Sequence, residues 1–194
     1  MARLFFSVGV SRDVASGLRK LQAQMGPRLP REGFRFVEAD QAHYTLRFLG
    51  EEPIERQTAA IRAGHGAALG LASFVVMLEG LGVFPDVRHA HTLWIGAGRG
   101  SAELITLATR LEAQLLEHGF SGQDRLFVPH LTIARIKRRI PAAVLGGVLQ
   151  TPLQPVGRLT VESFALMESH PTSRGVRYLA VETFRLESAC TQFS

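Results

Sequence analysis

Hydrophobic positions along the chain follow two periods. Short β-branched and aromatic runs alternate with longer stretches in which apolar residues return every three or four positions. Arg3 to Val10 predicts a strand. Ser11 then offers an N-cap with Asp13 in the first turn, and Val14, Leu18, Leu21 and Met25 recur at helical spacing until Gly26-Pro27 stops the helix. Arg28 to Gly33 reads as a polar loop and Phe34 to Val37 as a short strand. A strand carrying His43-Tyr44-Thr45-Leu46-Arg47-Phe48-Leu49 ends at Gly50, and Pro53 opens a second helix over 54–69, weakened by Gly64 and Gly66. Phe74 to Leu78 predicts a strand, Gly80 to Pro85 an irregular connection and His91 to Gly96 another strand. Ser101, with Glu103 close behind, opens a helix whose Leu104, Leu107, Leu111 and Leu115 face one way, with Gly119 as its stop. A strand is expected over roughly 126–136 and a short helix over Ala142 to Leu149. Two closing strands over 158–167 and 176–186 are joined by a turn at 169–175.

Strands mixed with helices of unequal length point to α+β layers rather than a regularly alternating parallel fold. Two strand–helix–strand sections each end in a strand bearing His-x-Thr, which suggests an internal duplication. No linker, low-complexity run or charge block marks a boundary, so a single domain over 1–194 is expected.

Composition adds little against this reading. The 46% hydrophobic and 20% charged fractions are ordinary for a globular chain, and a net charge of +5 favours an anionic partner such as nucleic acid, or an acidic membrane surface. The lone cysteine, Cys190, permits no internal disulfide, fits a reducing compartment and has no evident histidine partner. Met1 to Val10 superficially resembles a leader, but its apolar part is short and Arg12-Asp13 follow at once, so a first strand is the better reading. No stretch approaches the length of a membrane span. A cytoplasmic protein is expected, monomeric and with no obligate protein partner.

The candidate chemistry lies in the repeated stretch, His43-Tyr44-Thr45 and Pro129-His130-Leu131-Thr132-Ile133-Ala134-Arg135. Residues two apart on a strand share a face, so His43 projects with Thr45 and His130 with Thr132. Two such strands side by side present two imidazoles and two hydroxyls to one cleft. A phosphodiester opened by water needs one proton taken from the nucleophile and one given to the leaving oxygen. Histidine suits both tasks near neutral pH. Threonine hydroxyls can bind non-bridging oxygens and an arginine can balance the developing charge, so neither metal nor covalent intermediate is required. A single His-x-Thr is common and usually structural; two copies in matching strands on a basic chain are not so easily dismissed.

Other residues carry weaker signals. His89 and His91 could be two metal ligands, but no acidic or cysteine partner stands at ligand spacing, and no metal is expected. His65, His118 and His170 read as surface or helix-end residues. Lys137-Arg138-Arg139 reads either as a solvated strand end or as a patch steering an anionic partner towards the cleft. Phe34, Phe36 and Phe84 could stack on a base, with core packing the commoner outcome.

Together these stretches resemble the 2H phosphoesterase superfamily, and within it the bacterial and archaeal RNA 2′,3′-cyclic phosphodiesterases, also called 2′-5′ RNA ligases of the LigT type. The match is carried by Arg3-Leu4-Phe5-Phe6, by His43 through Gly50, by Gly80-Leu81-Gly82-Val83-Phe84-Pro85, by Leu93-Trp94-Ile95-Gly96 and by Pro129 through Arg135. The resemblance implies a bilobal, pseudo-twofold α+β fold with antiparallel strands lining a central cleft and helices outside. It implies opening of a terminal 2′,3′-cyclic phosphate on RNA to a 2′-phosphomonoester without a cofactor, and weak joining of 2′-5′ RNA ends. His43 would then be the proton donor and His130 the proton acceptor, with Thr45, Thr132 and Arg135 on the phosphate. Tyr44 stands where the family often has an aliphatic residue, and should point off the catalytic face and matter little. Strict alternation puts Arg135 on the opposite face from His130, whereas Arg47 has the parity of His43. Either the second strand bulges or ends before Arg135, or Arg47 contributes instead; the resemblance favours Arg135.

Overall fold

The computed structural model describes residues 1–30, 32–152, 156–173 and 175–188; Cys190 lies outside them. Apolar strands have only two ways to bury themselves, against neighbours in a sheet and against helices laid on one face. The chain uses both in the order β1 (Ala2–Gly9), α1 (Arg12–Met25), β2 (Phe34–Phe36), β3 (His43–Glu52), α2 (Gln57–Ala68), β4 (Phe74–Phe84), β5 (Thr92–Ala97), α3 (Ser101–Glu117), β6 (His130–Ile136), α4 (Ala142–Leu149), β7 (Arg158–Val161), β8 (Ser163–Thr172) and β9 (Gly175–Arg185). The Ser11 hydroxyl accepts from the Val14 amide at 3.3 Å and so caps α1, whose Val14, Leu18, Leu21 and Met25 are buried as their spacing predicts.

Among the described residues the strands form one curled sheet in the order β7-β4-β5-β6-β3-β1-β8-β9, with β2 alongside β6 and the paired strands antiparallel. The two His-x-Thr strands are neighbours at its centre, and three strands flank each. This gives the bilobal α+β architecture with its pseudo-twofold relation. Helices cross between the halves. α1 follows β1 yet lies over β6, where Gln22 Nε2 donates to the Ile133 carbonyl, and α3 follows β5 yet packs on β3 and α2.

Four expectations are corrected. The strand begun at Phe74 does not end at Leu78 but runs to Phe84. A bulge at Gly80 (φ +76°), a conformation glycine adopts without steric cost, lets its first half pair with β7 and its second with β5. The run over 158–167 is two strands, because the chain breaks at Glu162 and sends β7 to β4 and β8 to β1, at opposite ends of the sheet. The turn at 169–175 is tighter than expected, with Thr172 paired to Gly175. The strand expected from Leu126 begins only at His130.

The glycines of α2 also have a reason. A Cβ at Gly64 would sit 2.3 Å from the Phe184 ring and one at Gly66 would sit 1.9 Å from the Gln114 side chain. They weaken the helix as an isolated segment and permit its close approach to β9 and α3. Among the described residues no helix is long and apolar enough to cross a membrane.

Candidate active site

Where each strand carries its motif, the ladder slips by one residue. On β6, Trp94 pairs with Thr132 but Leu93 pairs with Ala134, leaving Ile133 as an inserted residue. On β3, Ser7 pairs with Thr45 but Phe6 pairs with Arg47, leaving Leu46 inserted in the same way. An insertion reverses the in-and-out alternation beyond it. The residue five after each histidine is therefore returned to the histidine's face. That residue is Arg135 on β6 and Phe48 on β3, and both line the cleft with His43, Thr45, His130 and Thr132. Arg47 is turned to the opposite face. There its Nε lies 2.8 Å from Glu112 Oε2 of α3, too poorly aligned for a hydrogen bond, while Nη2 donates to the Ser121 carbonyl. The alternation argument for Arg47 fails because it assumed an unbroken ladder; the bulge considered for β6 is present.

The cleft has a volume of about 660 Å³ and is strongly cationic. Among the described residues, Arg3, Arg35, Arg135 and Arg177 line it against a single acid, Glu38. Arg35 on β2 stands directly opposite Arg135 on β6 in the antiparallel register. Like charges so placed repel at cross-strand distance, and a shared anion removes that penalty. Arg135 Nη1 also donates to Thr92 Oγ1 at 3.0 Å, which fixes the guanidinium at the floor.

Both imidazoles are held by the same device. His43 Nδ1 lies 2.7 Å from the Gln41 carbonyl and His130 Nδ1 lies 2.8 Å from the Val128 carbonyl. A carbonyl only accepts, so each Nδ1 carries a proton and each Nε2 is left to exchange protons with a ligand. Burial lowers the pKa of both histidines below 6.5, outweighing the carbonyl bond that raises it. Arg135 lowers both further, and His130 lowers His43. Both rings are thus neutral at pH 7 in the unliganded protein. An anion between them opposes these effects and gives one ring a proton to donate.

Aromatic rings buttress the pair. Phe5 and Tyr178 lie 5.2 and 5.3 Å from His43, and Phe84 meets His130 edge-on at 4.8 Å. Phe84 is therefore occupied with the histidine, and Phe36 borders the cleft with Phe34 against it at 4.9 Å. Tyr44 points off the catalytic face, as expected, but is not idle. It is fully buried, pairs with Leu131 across the β3–β6 junction, and its hydroxyl donates to the Gly96 carbonyl of β5 at 3.3 Å.

The remaining histidines lie elsewhere. His89 pairs with Asp86 at 3.1 Å, His170 lies 3.4 Å from Glu168, His118 bonds the Gln114 carbonyl at the end of α3, and His65 rests on Phe184. Among the described residues no three His, Cys, Asp or Glu gather as metal ligands. Sequence reading missed Arg3, Arg35, Arg177 and Tyr178, which only the folding of β1, β2 and the β8–β9 hairpin over the cleft brings in. Phe48 was within reach, since superposing the two motifs places it at the position of Arg135.

The family model described as the 2′-5′ RNA ligase superfamily matches residues 10–172. The chain belongs to that superfamily. It is 36% identical to the RNA 2′,3′-cyclic phosphodiesterase of Aeropyrum pernix over 149 residues, 73% of this chain and 80% of that protein. A crystal structure of a Thermus thermophilus protein matches with a TM-score of 0.79 and 30% identity, covering 96% of this chain and 98% of that one. Escherichia coli LigT without ligand matches at 0.75 and 26% identity, with 96% and 98% covered. The matched span holds both His-x-Thr strands, so this superfamily member carries the two motifs on adjacent central strands.

Proposed function

We propose that the cleft opens the 2′,3′-cyclic phosphodiester end of RNA to a 2′-phosphomonoester by paired acid–base catalysis. The observation that carries this reading is the matched presentation of two neutral imidazoles, each with Nδ1 tied to the carbonyl two residues before it, in one arginine-lined cleft. Membership of a superfamily whose relative is named for that activity supports it. His130 takes a proton from water as the water oxygen bonds to phosphorus. The bond from phosphorus to the 3′ oxygen breaks as His43 donates its proton to that oxygen. Thr45 and Thr132 bind the non-bridging oxygens, and Arg135 opposes the charge that grows on them. The two rings end with protons exchanged, and solvent resets them. An RNA 5′-hydroxyl in place of water gives a 2′-5′ linkage by the same steps, a weak joining activity. Since the ring environments are alike, the bound substrate sets which histidine donates.

The reading takes residues 1–194 as one unit, because each half is covered by a helix that starts in the other, and places a monomer in the cytoplasm, which the lone cysteine supports. The decisive experiment incubates purified protein with RNA ending in a 2′,3′-cyclic phosphate and identifies the phosphomonoester formed. A 2′-phosphate is expected. A 3′-phosphate overturns the assigned leaving oxygen, and binding without turnover reduces the site to an RNA-end-binding module. His43→Ala and His130→Ala should each lower kcat by about 10²-fold or more with the fold unchanged by circular dichroism, and excess chelator should leave the rate intact.

A further inference from the structure

Arg135 lines the cleft, and the next residue on β6, Ile136, is turned to the opposite face and lines a second depression of about 270 Å³ at the strand's end. Two segments meet there. The β4–β5 connection supplies Arg88 and His91, and the turn after β6 supplies Lys137, Arg138 and Arg139; all five are exposed. The segments are tied together, because the Ile136 amide donates to the His91 carbonyl at 2.9 Å, and the turn is anchored separately to the loop before β2, where the Lys137 amide donates to the Gly33 carbonyl at 2.6 Å. The floor is apolar, with Ile140 and Leu145 buried beneath it. Among the described residues no acid lines the depression. Of the acids on flanking segments, Asp86 is paired with His89 and Glu32 with Arg138. Several cations around an apolar floor, with no counter-charge among the lining residues, match an anion that also has a flat apolar part. A nucleotide is such a ligand, with its base on the floor and its phosphates on the rim.

We propose that this depression is a distal subsite for the RNA chain on the 5′ side of the cyclic end, and that it binds backbone phosphates of nucleotides preceding the one in the cleft. The proposal rests on the reading of the cleft as the site of cyclic-phosphate opening, and adds that the enzyme selects polynucleotide ends over cyclic mononucleotides. Position supports it. Lys137 follows Arg135 by two residues at the end of β6, roughly 7 Å along an extended chain, so the strand end leads from the reacting phosphate to the rim. A cyclic mononucleotide fills the cleft alone and gains nothing from the rim.

The test compares the wild type with the triple variant Arg88→Gln/Lys137→Gln/Arg139→Gln. Arg138 is spared because it pairs with Glu32. Each protein is assayed on a 2′,3′-cyclic mononucleotide and on an oligoribonucleotide ending in a 2′,3′-cyclic phosphate, at several salt concentrations, with thermal melts to verify folding. For the oligonucleotide, kcat/KM should fall about tenfold or more. The slope of log affinity against log salt should lose about two units, the counterion release from three single-strand phosphate contacts. The mononucleotide rate should stay unchanged. Equal losses on both substrates, or no loss on the oligonucleotide, overturn the subsite. If the wild type turns over neither substrate, the reading of the cleft fails instead. The subsite is then judged by fluorescence anisotropy of the same labelled oligonucleotide, where affinity unchanged by the triple substitution overturns it.

Discussion

A guanidinium beside two imidazoles acts on them in two senses. Arg135 opposes protonation of both His43 and His130 in the empty cleft, and in the proposed reaction it would support the negative charge that grows on a bound phosphate. The two senses predict a combined signature for Arg135→Gln. Its kcat/KM should fall by about 10²-fold, while the acid limb of its pH profile moves up, because both histidines hold protons more readily without the cation. A loss of rate with an unmoved profile would show that Arg135 binds substrate without setting the ring pKa values. In the wild type, burial lowers both pKa values below 6.5. The form with one ring protonated and one neutral is therefore most populated on the acid side of 6.5, and kcat/KM, which reports the free enzyme, should peak there. The bound anion raises both values, so the kcat optimum should lie at higher pH. A kcat/KM that climbs steadily through pH 8 would rule out the paired mechanism. Arg47→Gln is the contrast. Losing its half-buried ion pair with Glu112 should cost about 2 kcal/mol of stability and leave the pH profile of kcat/KM where it was.

At the level of single elements, what was legible in the sequence divides by mechanism. α1 and the α3 leucine face were readable because their burial follows one unbroken helical period, and β1 because Leu4 to Val8 is one continuous buried run. The inserted residues Leu46, Ile133 and Gly80 were not, since a bulge depends on how the neighbouring strand pairs and leaves no mark on its own segment beyond a permissive glycine. Both the reach of β4 to Phe84 and the face of Arg135 turned on such insertions. The histidine pair was legible because it is written twice, whereas Arg35 and Tyr178 enter the cleft from segments with no motif. α2 gives the element-scale test. Gly64→Ala places a methyl within the Phe184 ring and pushes the helix off β9, at a cost of about 2 kcal/mol. In a chain of this size that lowers the melting temperature by roughly 4–8 °C. If the variant melts with the wild type, the close approach of α2 is not structural. His-x-Thr chemistry on the far side of the sheet should be barely affected.

The whole molecule is joined at a narrow seam. β3 and β6 share one registered pair, Tyr44 with Leu131, and the Tyr44 hydroxyl reaches past β6 to β5. The same seam positions the two histidines, so rigidity there and placement of the imidazoles are one property. Tyr44→Phe keeps the ring and loses the hydroxyl, leaving the Gly96 carbonyl without that donor, for about 1 kcal/mol of stability. The histidines make the seam sensitive to pH as well. Their folded pKa values lie below 6.5 while the unfolded chain binds protons at about 6.5. The unfolded state therefore holds more protons through that window, and stability rises with pH. Their contribution is present in full above the unfolded value and is lost as pH falls from there towards the folded values. Thermal melts from pH 8 to pH 5 should be level at first and then decline, and His43→Gln/His130→Gln should flatten part of the decline. Phosphate held by the folded cleft and not by the unfolded chain should raise the wild-type melting temperature. It should do so most at the lower pH, where the rings can take up protons with it, and in the double variant that pH-dependent gain should disappear. A phosphate shift of equal size at pH 8 and pH 5, or one retained by the double variant, would mean that the anion does not sit between the two rings.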